Sequence, residues 1–248
     1  MSSVTGSGEP AVSVVVPVHN EAENIPVLVD EIAAALGGRE PFEAVFVNDG
    51  STDDTQQVLA KLQASRPWLR QIKHAHGAGQ SAAIRSGVRA ARAPIVVTLD
   101  GDGQNDPADL PKLMALRLDP GNAGVALIQG HRVTRKDTGF RRFQSRIANG
   151  VRSGLLGDGT PDTGCGIKLM SRAAYLDLPK FDHMHRFLPA LFLRGGARVI
   201  SVPVNHRPRA RGTSKYGMLD RLWVGIVDIF GVMWLRRRYK PGLTVREE

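Results

Sequence analysis

Strand-like and helix-like segments alternate through the first hundred residues, and this alternation restricts the fold more than any other feature. Val12-Ser13-Val14-Val15-Val16 is a β-branched run of the kind that fills a buried strand. A helix follows, with an apolar stripe through Ile25, Leu28, Val29, Ile32 and Leu36, and Gly37-Gly38 stops it. Asn20 is the expected cap of that helix, and Glu21 and Glu23 suit its positive end. Residues 43–47 form the next strand, with a helix through Val58, Leu59 and Leu62 capped by Ser51 or Asp53. A short strand over 69–73, an alanine-rich helix opening at Gly77 and an apolar strand over 95–99 complete the pattern. It predicts an α/β chain with a mainly parallel central sheet flanked by helices. Ligands of such sheets bind beyond the carboxyl ends of the strands. Residues 17–21, 48–54 and 100–106 lie at three such ends, so three polar or acidic loops are expected to converge on one crevice.

The second half continues less regularly. A helix is expected over 107–116, strands over 124–130, 167–170 and 198–204, a basic helix over 141–156 and a helical stretch near 185–194. Residues 1–10 are polar and Gly/Ser-rich, lack the pattern of a signal peptide, and read as a disordered lead-in. The catalytic-size unit is expected over 11–218. Residues 219–248 read as an amphipathic segment: Trp223, Phe230 and Trp234 sit among aliphatic residues, beside Arg236-Arg237-Arg238-Tyr239-Lys240. With Asp220, Arg221 and Asp228 inside it, this stretch suits a membrane interface or a docked helix better than a bilayer span.

The single cysteine, Cys165, excludes an internal disulfide and suits a reducing cytoplasm. The net charge of +9 points to an anionic partner: nucleic acid, a phosphorylated ligand or an acidic membrane surface. Nucleic acid is the poorest of these. Aromatic residues make up only 6%, no nucleic-acid motif is present, and acidic loops line the expected crevice.

Asp100-Gly101-Asp102 is the densest chemical signal. Carboxylates two residues apart on extended chain point the same way and can offer oxygens to one hard cation, with Gln104 nearby. Mg²⁺ or Mn²⁺ fits such a site and leaves positions for phosphate, although an Asp-Gly turn between strands carries the same residues. Asp49 can accept hydrogen bonds from a base or ribose, or cap a helix; Glu21 has the same two readings. Gly77-Ala78-Gly79 lacks the third glycine of a dinucleotide fingerprint, and no P-loop or Gly-x-Ser-x-Gly elbow occurs. Cys165, between two glycines, reads as a small buried residue, and His183 and His185 as packing or surface residues. Arg132 follows a strand end, and Arg209, Arg211 and Lys215 lie on a Gly/Pro-containing stretch able to close over a diphosphate.

Six stretches in order resemble the inverting family-2 glycosyltransferases of GT-A fold, and within them the polyprenyl-phosphate, dolichol-phosphate mannosyltransferase-like branch. They are Val16-Pro-Val-His-Asn-Glu21, Val47-Asn-Asp-Gly-Ser-Thr-Asp-Asp54, Asp100-Gly-Asp-Gly-Gln-Asn-Asp-Pro107, Gly130-His-Arg132, Asp162-Thr-Gly-Cys-Gly-Ile-Lys168 and Arg209-Ala-Arg-Gly-Thr-Ser-Lys215. The resemblance implies a GT-A nucleotide-diphospho-sugar transferase fold. It implies that Pro17, His19, Glu21, Val47 and Asp49 hold the nucleoside of a GDP- or UDP-linked sugar, His19 standing where tyrosine is common. Asp100, Gly101, Asp102 and Gln104 would hold the metal and diphosphate. Arg132, Arg146, Arg209 and Lys215 would grip phosphates, and Asp162 would orient the acceptor. Asp102, Arg132, Asp162, Arg209 and Lys215 are thus the expected catalytic set. The implied acceptor is a polyprenyl phosphate, its phosphate already an anionic nucleophile. A glycan or other soluble acceptor is the second reading within the family. Many members carry transmembrane helices after the catalytic domain. This sequence ends at Glu248, so the expected meeting with the inner face of the membrane is peripheral, from the cytoplasm. It would be made through the basic loop and C-terminal helix, or through a membrane partner protein; contact within a homo-oligomer is a further reading of that helix.

Overall fold

The structure, a computed structural model, describes residues 9–133, 150, 152–208 and 218–240. Arg146, Arg209, Arg211 and Lys215 lie outside the described residues, as does most of the helix expected over 141–156. The strands are β1 (Val12–Val18), β2 (Phe42–Asp49), β3 (Leu69–His74), β4 (Ile95–Thr98), β5 (Val125–Arg132), β6 (Lys168–Ser171) and β7 (Arg198–Val204). The α-helices are α1 (Ile25–Leu36), α2 (Thr55–Gln63), α3 (Gln80–Ala90), α4 (Leu110–Leu118), α5 (Arg172–Leu176), α6 (Leu188–Arg194) and α7 (Met218–Arg238). The short α5 has no counterpart in the sequence reading. Its five residues carry no full apolar period, and Ser171 Oγ caps it by accepting from Ala174 N–H.

One seven-stranded sheet runs in the order β3-β2-β1-β4-β6-β5-β7. β1 pairs in parallel with β2 and β4, β2 with β3, and β5 with β7. β6 is antiparallel to both of its neighbours, β4 and β5. Six strands therefore end at one edge of the sheet, and β6 begins there. This reversal brings Lys168, the first residue of β6, to the edge where the other strands finish.

Period-two alternation divides the core into two layers. Val12, Val14, Val16 and Val18 face one side and pack with Ile25, Leu28, Ile32, Phe46, Leu59, Leu110 and Leu113. Val15 faces the other side, with Ile84, Val88, Val96, Tyr175, Leu188 and Leu191. α3 lies close on that second face. A Cβ on Gly87 would stand 2.4 Å from Val15 Cγ1, so only glycine lets the helix approach this far. α7 docks on the second layer through buried Val232, with Ile229, Met233 and Leu235 packed beside it. Arg194 Nε donates to Leu235 O at 3.0 Å, and the Arg194 guanidinium covers the Tyr239 ring at 4.4 Å. The opposite side of α7 leaves Val227, Phe230 and Trp234 more than half exposed. No described helix is long and apolar enough to cross a membrane.

Candidate active site

The loops after β1, β2 and β4 meet in a crevice of about 550 Å³ at the carboxyl edge of the sheet. It is lined by Pro17, His19, Glu21, Asp49, Asp100, Gly101 and Asp102, as the loop positions imply. Gly164, Gly166 and Lys168 close one side, and Gln80, His185 and Arg186 another.

The first two loops are laced together. Asn20 does not cap α1, contrary to expectation: the helix starts after Asn24, and Asn20 takes a left-handed conformation at φ 57°. Its Oδ1 accepts instead from Thr52 N–H at 2.7 Å, and its N–H donates to Ser51 Oγ at 2.9 Å. Asx side chains tolerate this conformation because they bond local backbone. Asp53 does bond the start of α2, accepting from Thr55 N–H at 3.0 Å. His19 lines the crevice, and its Nδ1–H donates to Asp49 O at 2.7 Å, so in the neutral ring Nε2 is the acceptor.

Asp49 is more heavily committed than its sequence position suggests. Its carboxylate accepts from Ala78 N–H and Gly79 N–H at 2.8 Å each and contacts His74 Nδ1 at 2.7 Å. It therefore anchors the loop leading into α3, and Gly77-Ala78-Gly79 is explained as the partner of that carboxylate. Gly50, at φ +67°, packs so tightly on this loop that a Cβ would fall 2.3 Å from Gly77 N. Val47 lies wholly buried in the core with Val45 and Ala83, so its side chain does not reach the crevice.

Asp100 and Asp102 stand together at the crevice wall. Asp100 N–H donates to Asn105 Oδ1 at 2.7 Å, and Asp100 Oδ1 accepts from Gln80 Nε2 at 2.8 Å. Burial, and then the neighbouring Asp102 carboxylate, push Asp100 up to about 6, against the pull of Lys168, Arg132 and Gln80. Gly166 makes room for this carboxylate, since a Cβ there would meet Asp100 Oδ2 at 2.1 Å. Gln104 turns away: its Nε2 lies 3.5 Å from Arg207 O, and it does not line the crevice. Its backbone N–H donates to Asp102 Oδ1 at 3.1 Å, so it positions the loop.

Arg132 and Asp162 form a forked pair, with Nε to Oδ2 at 2.6 Å and Nη2 to Oδ1 at 2.9 Å. Burial opposes the guanidinium charge, yet Asp162 holds Arg132 above its usual range, and its charge reaches Asp100. Lys168 is only 4% exposed and donates to Cys165 O. Burial lowers its pKa, against the charges of Asp100 and Asp162. Burial pushes the Cys165 thiol up, so it stays protonated and fills space, as its glycine flanks imply.

His185 is a site residue that its sequence surroundings conceal. Ser81 Oγ accepts from His185 N–H at 3.3 Å and lies 2.7 Å from Nδ1, so its hydroxyl proton is free to go to that nitrogen. Burial, then the charges of Lys168 and Arg186, push the ring down to about 3, so it is neutral. Nε2 then carries the ring proton as a donor. Lys168, Gln80 and His185 were missed for one reason: a strand start, a helix start and a 3₁₀ turn carry no periodic signal of a shared cavity.

The sheet order, with one reversed strand and paired acids beyond β4, defines a GT-A glycosyltransferase. Solved structures of glucosyl-3-phosphoglycerate synthase from Mycobacterium tuberculosis share the fold. The complex with Mn²⁺, UDP and phosphoglyceric acid superposes with a TM-score of 0.68 at 21% identity, covering 94% of this chain and 80% of that one. The complex with Mg²⁺ and UDP gives 0.66 at 20% identity, over 92% and 79%. Residues 13–178 match Glycosyl transferase family 2, and the chain belongs to that family. A dodecaprenyl-phosphate galacturonate synthase of Rhizobium johnstonii is 33% identical over 251 residues, covering 96% of this chain and 72% of the relative. An undecaprenyl-phosphate 4-deoxy-4-formamido-L-arabinose transferase of Edwardsiella ictaluri is 32% identical over 211 residues, 84% of this chain and 63% of that protein. The chain thus spans less than two thirds of the latter's length. Neither relative is named for mannose or dolichol, so that part of the resemblance gains no support.

Proposed function

We propose that this chain transfers a glycosyl unit, with inversion, from a nucleoside-diphosphate sugar to a polyprenyl phosphate. The observation that carries the reading is the placement of Asp100 and Asp102 beside Lys168, in the crevice that His19, Glu21 and Asp49 share. The two relatives named for prenyl phosphates support the acceptor class. The UDP complexes of the structural neighbours favour a UDP-linked donor over GDP-mannose.

The residues fit a divalent cation. A carboxylate pushed up to about 6 by burial, and then by the charge of a second carboxylate, belongs to a pair short of positive charge, and its oxygens suit Mg²⁺ or Mn²⁺. Among the described residues no group of three His, Cys, Asp or Glu surrounds a single point, so the remaining ligands would be donor oxygens and water. When bound, such an ion supplies Lewis-acid neutralisation of the diphosphate. The protein's own residues do the rest. His19 Nε2 accepts from the nucleoside, and Lys168 adds positive charge near Asp100. Arg132, fixed by Asp162, stands ready beside them. Arg146, Arg209 and Lys215 belong to the proposed phosphate grip through the family resemblance. A phosphate oxygen of the acceptor forms the new bond to the anomeric carbon as the bond to the leaving diphosphate breaks. The attacking oxygen is already anionic, so no strong general base is required. Asp162 is a positioning group here, because both of its oxygens hold Arg132.

A peripheral seat on the inner face of the membrane belongs to the same proposal. Val227, Phe230 and Trp234 are exposed on α7 and Arg237 and Arg238 follow them, a combination that suits an anionic interface. The test is a screen of radiolabelled UDP- and GDP-sugars with a short polyprenyl phosphate, with Mn²⁺ or with EDTA. Label entering the organic phase only with metal is the expected result. Label transferred to a water-soluble glycan, and none to lipid, would overturn the acceptor assignment.

A further inference from the structure

A second cleft, of about 440 Å³, lies behind the loop 75–79, on the side away from the crevice. α3 separates the two. Gln80, Ala83 and Ile84 face the crevice, whereas Ala82, Arg85, Ser86 and Arg89 face the cleft. Lys73, His76 and Lys180 supply further basic groups to the cleft, and no Asp or Glu lines it. Lys73, Arg85, Arg89 and Lys180 make no ion pair among the described residues. Like charges gathered in a concave space repel one another unless an anion is present. Arg85 adds a second, independent sign. Its Nε and Nη1 are buried with no hydrogen-bond partner, and Nη2 makes only a 3.4 Å contact with Leu176 O. A guanidinium short of acceptors is costly, and an anion oxygen removes that cost.

We infer that this cleft is a phosphate-binding site, sized for a diphosphate or a phosphorylated small molecule and separate from the transferase crevice. Arg85 and Arg89, one helical turn apart on α3, provide forked donors, and Lys73 and Lys180 provide point charges. The site is wired to the crevice. His74 contacts Ser86 Oγ with Nε2 at 2.9 Å and Asp49 Oδ1 with Nδ1 at 2.7 Å, and Asp49 holds the shared loop wall. The inference does not depend on the transferase reading.

Titration calorimetry of the full chain with pyrophosphate, at low salt and in EDTA, tests it. One binding event is expected, weakened about tenfold or more in Arg85→Gln and in the exposed double variant Arg89→Gln/Lys180→Gln. The double variant keeps the assay decisive if Arg85→Gln folds poorly. Arg85, Arg89 and Lys180 line the cleft and not the crevice, so loss of binding in these variants assigns it to the cleft. Flotation with phosphatidic-acid vesicles, against phosphatidylcholine vesicles, identifies the source. Retention lost in the double variant assigns a lipid headgroup, and calorimetric binding without such retention assigns a soluble phosphate. The inference fails if neither pyrophosphate nor vesicles bind. It fails equally if binding survives both cleft variants.

Discussion

Asp102→Asn should make the metal-free protein more stable while abolishing its response to metal. Asp100 moves from 3.8 to about 6, roughly two pKa units, which corresponds to about 3 kcal/mol of lost stability at neutral pH. Burial causes the larger share and the Asp102 charge the second. Removing that charge should therefore return about 1 kcal/mol, or about 3 °C in Tm for a chain of this size. Asn keeps an Oδ1 able to accept the Gln104 N–H, so the loop geometry survives. The pH dependence has a definite sign. A carboxyl whose folded pKa is raised favours folding when protonated, so its contribution is complete below about pH 3.8 and is lost as pH rises through about 6. Variant and wild type should thus differ at pH 7.5 in EDTA and converge as pH falls below 6. Saturating Mn²⁺ should reverse the order. At one hundred times its Kd the ion stabilises the wild type by about 2.7 kcal/mol, and the variant by little. Thermal unfolding in EDTA and in MnCl₂, at both pH values, reads all of this. A variant that melts below wild type in EDTA, or that retains the Mn²⁺ shift, would refute the reasoning.

Two further substitutions probe the frame around the site. Gly166→Ala sets a methyl on the Asp100 carboxylate and on Asn105 Oδ1, 2.5 Å away, so it should abolish both transfer and the Mn²⁺-induced Tm shift, and calorimetry with Mn²⁺ checks this. Glu43→Gln should cost about 3–5 kcal/mol by urea denaturation at pH 7, because it strips a buried carboxylate of its charge and leaves Arg70 unpaired. Burial alone would raise Glu43, but donors from Ser13 at 2.6 Å, Arg92 N–H at 2.6 Å and Arg70 at 2.5 Å hold it below its usual range. Its contribution is therefore present above about pH 4.5 and fades as pH falls further, so the gap between variant and wild type should narrow in acid.

Much of the crevice was legible because β-branched runs and helix stripes follow from local chain geometry. Once strands are parallel, their carboxyl ends must share an edge. That is why Pro17, His19, Glu21, Asp49, Asp100, Gly101 and Asp102 could be brought together on paper and are found together. The same logic failed where side-chain direction depends on neighbours. Val47 stands two residues before the crevice-lining Asp49 yet packs against α3, and Gln104 turns to Arg207. Asn20 exchanged a helix cap for a bond across to the next loop, a partner 32 residues away that no local pattern announces.

By itself the sequence determined the α/β class, the acidic pair beyond the fourth strand and the family, since each is written in residues close together along the chain. Only the tertiary structure decided the direction of β6, which alone brings Lys168 to the acids. It alone paired Arg132 with Asp162, set His185 beside Ser81 across 104 positions, and gathered Lys73, Arg85, Arg89 and Lys180 around a second cleft. The physical reason is common to all of these. Backbone conformation is governed by near neighbours, whereas charge, burial and hydrogen-bond partners belong to the space that distant segments enclose.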